Sequence, residues 1–429
     1  MRFPFLLAGL TIGCALLALT HATAHAQADT GLRIHGFGTV GVTAINAPDD
    51  WGMRRSHKQR RNDGGLRMDV DSRLGLQANY ALGDEVEMVG QAVLQPQVQV
   101  QPVELAFVAW RPRPDLTLRL GRTNNDVVLL SESRNIGFSY LWVRPNHDAY
   151  GPLPIYLLDG IDATWQHQGG GAHWKVHAFA GRGSTTVDGA TGQRSQRYDI
   201  QRLAGLTVSR DQGGLHLRGT VAAVRAALGR TAVATRALQT LGQVAALPLP
   251  TVAAEAAELR EVLGGLLDSR RVTYVGAGLA FDDGGPWIAT VEVMRALSEE
   301  RYISGRFGYA SLGRRIGPVT VYGTAGVGRF GTGWQTLSDW TDALAPLAGP
   351  EVARAVGNAG AVVHREVHGG ATHQHSVSVG LRWDLHPRAA LKLQLDRFSV
   401  ERTGSLFWTT GEARSARPVV GSVVLDFIF

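Results

Sequence analysis

The chain is dominated by segments of roughly ten residues in which apolar side chains recur at every second position, the pattern of an extended strand with two unlike faces. The last three are the cleanest. Val377, Val379, Leu381 and Trp383 share one face, with Ser378, Gly380, Arg382 and Asp384 on the other. Leu391, Leu393 and Leu395 oppose Lys392, Gln394 and Asp396, and Val419, Val423, Leu425, Phe427 and Phe429 oppose Ser422 and Asp426. By this criterion strands are expected near 31–45, 67–82, 85–96, 102–111, 115–122, 157–167, 171–181, 197–210, 214–224, 271–282, 286–295, 301–313, 317–329, 374–384, 389–400 and 418–429, sixteen in all.

The connections alternate in character. Leu82–Glu85, Pro112–Pro114, Gln168–Gly171, Asp211–Gly214, Asp282–Gly285, Arg314–Gly317 and Leu385–Arg388 are short, and most are built on Gly, Pro or Asp, which tolerate or fix turn dihedrals. The stretches between, 46–66, 123–156, 182–196, 225–270, 330–373 and 401–417, are long, with two shorter members after residues 96 and 295. A soluble sandwich would hide one face against a second sheet, but it would not require one trimmed and one elaborated end. An even number of antiparallel strands with that asymmetry and an apolar belt fits a barrel spanning an outer membrane, whose closure leaves no edge to protect. The expected fold class is therefore all-β, a 16-stranded antiparallel transmembrane β-barrel.

The start of the chain agrees with export. Arg2 precedes an apolar run from Phe3 to Leu19, and Ala24-His25-Ala26 forms a small-residue cleavage site, so residues 1–26 are expected to be a signal peptide and 27–429 the barrel. A retained anchor, or a lipoprotein cut before Cys14, is the weaker reading. Cys14 is the only cysteine, and its loss leaves no thiol, disulfide or cysteine ligand. No later run is long and apolar enough for a membrane-crossing helix. Trp110, Trp165, Trp174, Tyr198, Trp287, Tyr309, Trp383, Phe427 and Phe429 fall near strand ends, where amphipathic rings sit at lipid headgroups.

The alternation names the residues expected to line a pore. Arg73, Arg119, Arg218, Arg306, Arg382 and Lys392 oppose the apolar face of their strands, as do Glu87, Glu104, Asp162, Glu292 and Asp396. An Arg or Lys facing lipid at the midplane costs about 2–4 kcal/mol, which favours the lumen. There they either prop the wall as an ion-pair network or, with opposite signs on opposite walls, act on passing solutes. Six basic against five acidic groups suggest at most a slight anion preference.

The leader, the sixteen segments, the long third external loop and the terminal Asp426-Phe-Ile-Phe429 together resemble the sixteen-stranded porins of Gram-negative bacteria. The resemblance implies that Phe429 is read by the barrel assembly machinery, that residues 123–156 fold inward as a constriction loop, and that the barrel forms a homotrimer. The loop lacks the acidic PEFGG-like stretch of the best-known general porins, reading instead Leu130-Ser-Glu-Ser-Arg-Asn-Ile-Gly-Phe-Ser-Tyr-Leu-Trp-Val-Arg-Pro145. That departure weakens classical general diffusion and leaves room for a selective channel. Within the loop Asp126, Glu132, Arg134 and Arg144 are the charges expected at the narrow section. Phe138, Tyr140, Trp142 and Tyr150 either stack against a ring-bearing solute or glue the loop to the wall.

Two inserts carry helical signatures. Ala226–Leu241 and Val252–Leu263, separated by Pro248 and Pro250, suggest a helical hairpin in 225–270, and Trp340–Val356 a shorter helix in 330–373. Such helices would cap the mouth, plug the lumen or pack against a neighbour. The first external loop holds the basic run Arg54-Arg-Ser-His-Lys-Gln-Arg-Arg61. Export makes nucleic acid an improbable partner and lipopolysaccharide phosphate the better one.

No enzyme signature is present. His57, His147, His167, His173, His177, His373 and His375 gain no catalytic partner from spacing, and His373-x-His375 has no nearby third metal ligand. There is no Gly-x-Ser-x-Gly elbow, His-Glu-x-x-His helix or phosphate loop. No cofactor or metal is expected. The functional expectation is a porin passing small hydrophilic solutes and ions. The alternatives are a channel selective for an anionic or ring-bearing nutrient and narrowed by a helical insert, or a sealed structural or adhesive barrel.

Overall fold

The structure, a computed structural model, describes residues 31–47, 51–56, 58–59, 62, 64–96, 102–151, 153, 156–188, 195–331, 336–368, 371–401, 407–409 and 415–429. The expected signal peptide, and His57, Arg60 and Arg61 of the basic run, lie outside these residues.

Sixteen barrel strands follow one another: β1 Leu32–Asn46, β2 Arg73–Ala81, β3 Val86–Leu94, β4 Val103–Arg113, β5 Leu116–Asn124 and β6 Leu157–Gly169. Then come β7 Ala172–Asp188, β8 Ser195–Gln212, β9 Leu215–Leu228, β10 Arg270–Asp282 and β11 Trp287–Leu297. The last five are β12 Gly305–Ile316, β13 Val319–Phe330, β14 Thr372–His386, β15 Ala389–Val400 and β16 Val419–Ile428. Each pairs antiparallel with its sequence neighbours, and β1 pairs with both β2 (Leu32↔Tyr80) and β16 (Phe37↔Ile428), so the sheet closes on itself.

Three expected strands differ most in extent, the one at 171–181 running on to Asp188 into the connection expected at 182–196. The segment 67–82 breaks after a short piece, Gly65–Arg67, because 68–72 turns before the chain re-enters the sheet at Arg73. Residues 301–303 form a single 3-10 turn, so β12 starts at Gly305. At the trimmed end, Gly170 and Gly171 (φ 62 and 72) and Gly213 and Gly214 (φ 58 and 80) make two-residue turns with both φ positive, which match the right-handed strand twist and are strained for any side chain with a Cβ.

Burial is inverted relative to a soluble protein. Leu76, Val379 and Leu395 point outward and are 50%, 62% and 52% exposed, whereas the inward Lys392 and Asp426 are both 0% exposed. An apolar outside around polar groups that satisfy one another requires an apolar solvent. Trp110, Trp165, Trp174, Trp287 and Trp383 form an exposed outward ring at the short-turn end, as expected for a lipid interface. Tyr309 is a correction to that belt: it faces inward and is buried.

The closing seam is built from aromatic rings lying over glycines. A Cβ on Gly36 would stand 2.1 Å from Phe429, one on Gly38 2.3 Å from Phe427, and one on Gly75 2.1 Å from Phe37. Gly36 and Phe429 also exchange backbone hydrogen bonds of 2.8 and 2.9 Å.

Both inserts are helical. α1 is the single turn His147–Tyr150, α2 Ala232–Ala245, α3 Pro250–Leu267, α4 Trp340–Ala348 and α5 Pro350–His368. The first insert starts later than expected because β9 runs to Leu228, and the second continues past Val356. Thr231 caps α2 through Ala234 N (3.1 Å), and Pro at N1 opens α3. The two hairpins share one apolar core of Leu241, Val244, Val252, Ala256, Leu259, Trp340, Leu344 and Ala353. The Glu255 carboxylate accepts hydrogen bonds from Ser338 N (3.1 Å), Ser338 Oγ (2.6 Å) and Trp340 Nε1 (2.7 Å), clamping one hairpin to the other. Glu255→Ala should weaken that clamp by about 2 kcal/mol. Amide exchange across 337–348 is then expected to accelerate more than tenfold while the barrel strands keep their protection.

Candidate functional site

The segment between β5 and β6 is tied to inward-facing wall residues on widely separated strands. On one side Arg144 donates to Asp71 (2.6 and 3.0 Å), Asp396 on β15 (3.0 Å) and Ser422 on β16 (2.5 Å). Lys392 on β15 donates to the carbonyls of Gly137 (2.7 Å), Tyr140 (2.6 Å) and Trp142 (2.9 Å) and pairs with Asp426 at 3.0 Å. Arg73 bonds the Asn135 carbonyl (2.5 Å), and Arg382 those of Phe138 (2.9 Å) and Tyr140 (3.0 Å). The backbone comes so close to the wall that a Cβ on Gly137 would lie 1.9 Å from Asp426 Oδ1, so glycine is required by space.

On the other side Tyr150 donates to Glu292 on β11 (2.8 Å), which also accepts from Leu129 N (2.7 Å). Trp142 donates to Ser311 on β12 (2.8 Å) and meets the Tyr309 ring edge-on at 5.4 Å. Asp126 is paired with Arg218 on β9 (2.9 Å) and His177 on β7 (2.9 Å), and Asp162 with Arg119 (2.6 Å), with His177 Nε2 at 3.4 Å continuing the chain. Arg134 pairs with Glu104 on β4 at 2.6 Å, joined by Lys58 at 3.2 Å. Asn146 caps α1, and Asp148 accepts from Ser376 (2.5 Å) and Gln374.

These contacts set the protonation of the segment. Burial would raise the Asp126 carboxyl, but the His177 hydrogen bond and the Arg218 charge overcome it and hold its pKa well below the usual range. Burial likewise opposes the charge on Arg144, but Asp71, by charge and hydrogen bond, and then Asp396 hold its pKa above that of an ordinary arginine. Burial and the Glu292 charge push the Tyr150 phenol well above its normal value, leaving it a hydrogen-bond donor at neutral pH.

The sequence-derived wall residues divide clearly. Arg73, Glu87, Glu104, Arg119, Asp162, Arg218, Glu292, Arg382, Lys392 and Asp396 are on the inward face. Arg306 is not: Phe307, Tyr309 and Ser311 face inward, and Arg306 shares the outward face with Gly308, Ala310 and Leu312. Phase was misread there because the bulky aromatics of β12 pack on the segment, leaving a nearly smooth outward surface. Glu87 binds Arg33 and Arg111 (2.7 Å each), apart from the segment, and Glu132 remains half-exposed 3.7 Å from Arg119. Asp71, Asp426, His177 and Gln394 were not singled out as site residues. Asp426 already sat on the polar face of the last strand, and Gln394, which accepts from Val143 N (3.0 Å), alternated with the leucines of β15.

Below the segment, toward the short turns, lies a cavity of about 610 Å³ bordered by Phe138, Tyr140, Trp142, His216, Arg315 and Asp384.

A closed antiparallel barrel with an apolar belt, a ring of interfacial tryptophans and a polar interior is an outer-membrane barrel, and the chain is located in an outer membrane. No protein-family model matches the chain, and no curated protein matches its sequence. Among solved structures, the OmpF of Salmonella typhi in complex with daunomycin aligns with a TM-score of 0.51 and 9% identity, covering 93% of this chain and 98% of that one. OmpT of Vibrio cholerae aligns at 0.48 and 12% (94% and 99% covered), and the anion-selective porin of Comamonas acidovorans at 0.48 and 12% (94% and 100%). The first of these, at 9% identity, shows a likeness of fold and no shared chemistry.

Proposed function

We propose that the chain is a passive channel for small hydrophilic solutes in which residues 125–156 cross the lumen and set its narrow section. The observation that carries this reading is the span of the segment's anchors. Arg144 and Lys392 hold it to β15, β16 and the turn before β2, while Tyr150, Trp142 and Asp126 hold it to β7, β9, β11 and β12. A segment bonded to inward groups on facing walls divides the interior. The inward charges mostly serve as props, neutralised within 4 Å of one another. With Arg306 outside, five basic candidates face five acidic ones, which removes the basis for an anion preference. Ion selectivity is expected to be weak.

A second reading rests on the aromatic border of the cavity. Phe138, Tyr140 and Trp142 offer faces to a planar or ring-bearing solute, which supports a selective channel. The wider expectation includes export, from the leader, and no catalytic turnover, from the lack of catalytic motifs, with a homotrimer and Phe429 as the assembly signal resting on the resemblance.

Reconstitution in planar bilayers tests the proposal. Discrete ohmic steps are expected, without saturation by small sugars for simple diffusion and with saturation for the selective reading. Silence would indicate a sealed barrel, and ester or lipid turnover an enzyme. Removing 232–267, which carries α2 and α3, should raise single-channel conductance at least 1.5-fold if the helical cluster overhangs the mouth. Unchanged conductance assigns the cluster to another surface.

A further inference from the structure

The misassigned Arg306 belongs to a second feature, on the outside of the barrel. Seven consecutive strands, β7 to β13, each carry an exposed arginine on the outward face near the long-loop end, Arg182, Arg202, Arg225, Arg271, Arg295, Arg306 and Arg329, and β8 has a second, Arg197, paired with Asp199 at 2.7 Å. The register sets most of them side by side. Arg202 is directly opposite Arg225, and Arg225 opposite Arg271; Arg295 is opposite Arg306, and Arg306 opposite Arg329. Among the described residues Arg329 has Glu401 at 3.7 Å and Arg182 stands opposite Asp159 of β6 in the register, and the five arginines between them form no ion pair with a carboxylate. Like charges directly opposite on a sheet repel at side-chain separations of about 5 Å, so such a row is unfavourable unless an anion lies against it. At the usual strand spacing the arc covers roughly 30 Å of circumference. Just below it the outward face turns apolar, with Val221, Val275, Val293 and Val327 all exposed.

We propose that this arc is a binding site for phosphorylated glycolipid of the outer leaflet, the arginines engaging its phosphates while the aliphatic belt beneath packs its acyl chains. The inference rests on the outer-membrane reading, in which long loops face outward and short turns inward. It is distinct from the basic run of the first loop, since these guanidiniums are fixed by strand register at the height where headgroups begin. Arginine suits the task because its planar fork binds phosphate oxygens in pairs and stays charged.

The test uses the full barrel refolded in detergent and titrated with bis-phosphorylated lipid A, with bound lipid counted by native mass spectrometry. The triple variant Arg225→Gln/Arg271→Gln/Arg306→Gln should bind about 100-fold more weakly, at about fivefold per arginine. Arg210→Gln/Arg314→Gln, which removes outward charges at the short-turn end, should bind as the parent does. Lipid A stripped of phosphate should bind parent and triple variant alike. Equal affinity of parent and triple variant for the phosphorylated lipid overturns the proposal. So does a change of oligomeric state without a change in lipid binding, which would make the arc a subunit contact. A barrel that neither inserts into bilayers nor conducts refutes the channel reading. One that conducts but ignores lipid phosphate refutes the arc alone.

Discussion

Arg144→Ala is expected to destabilise the barrel by about 3–5 kcal/mol and to raise single-channel conductance with added open-channel noise. Removing one member of a buried ion cluster leaves the others uncompensated, and the cost is set by the charges left behind. Here Asp71 and Asp396 would both lose their arginine, in surroundings where Arg144 and Asp71 are 4% and 0% exposed at the side chain. Lys392 still grips the backbone upstream, Gln394 still holds Val143 N, and Ser376 and Gln374 hold Asp148, so the loosening should be confined to 144–146 while 137–142 stays docked. Denaturant unfolding followed by tryptophan fluorescence gives the stability change, and bilayer recording the conductance. A variant that loses stability with unchanged conductance would show that the anchor props the wall without shaping the pore. Arg144→Lys should recover part of the stability but not the bidentate bond to Asp71.

The second large effect concerns closure. Gly36→Val should cut the folded yield more than tenfold, because the new side chain must occupy the volume of the Phe429 ring exactly where β1 and β16 are joined by paired backbone bonds. Refolding into detergent, scored by the heat-sensitive mobility of the folded barrel on gels, removes the cellular assembly machinery from the question. Adding Phe429→Ala to Gly36→Val is expected to restore folding in detergent, since it empties the contested space. If the double variant folds no better than the single one, crowding at the seam is not the cause.

Strand positions and their alternation were legible because period two reports directly which face meets oil. Leu391, Leu393 and Leu395 needed nothing beyond their spacing. Phase failed on β12, where Phe307 and Tyr309 are large and apolar yet face inward, Tyr309 against Trp142, so size and hydrophobicity pointed the wrong way. The anchors of the segment could not be read at all: Arg144 meets Asp71 across 73 positions and Asp396 across 252, and nothing local marks either partner. The helices were visible as Ala-rich runs, but the Glu255 clamp between them depends on two loops meeting above the strands. The arginine arc was in plain sight one strand at a time and emerged only once register aligned the strands.

Lys392 holds the segment it secures chiefly by three main-chain carbonyls, with its ammonium also 4.8 Å from the centre of the Tyr140 ring. A grip of that kind is indifferent to what the gripped residues display. The exposed Ser139 can therefore be exchanged without touching the lysine's bonds, provided Gly137 and Tyr140 are kept. In the proposed channel this separates where the segment is held from what it would present to a passing molecule, so that single replacements at exposed positions would change the lining while the scaffold stays as it is.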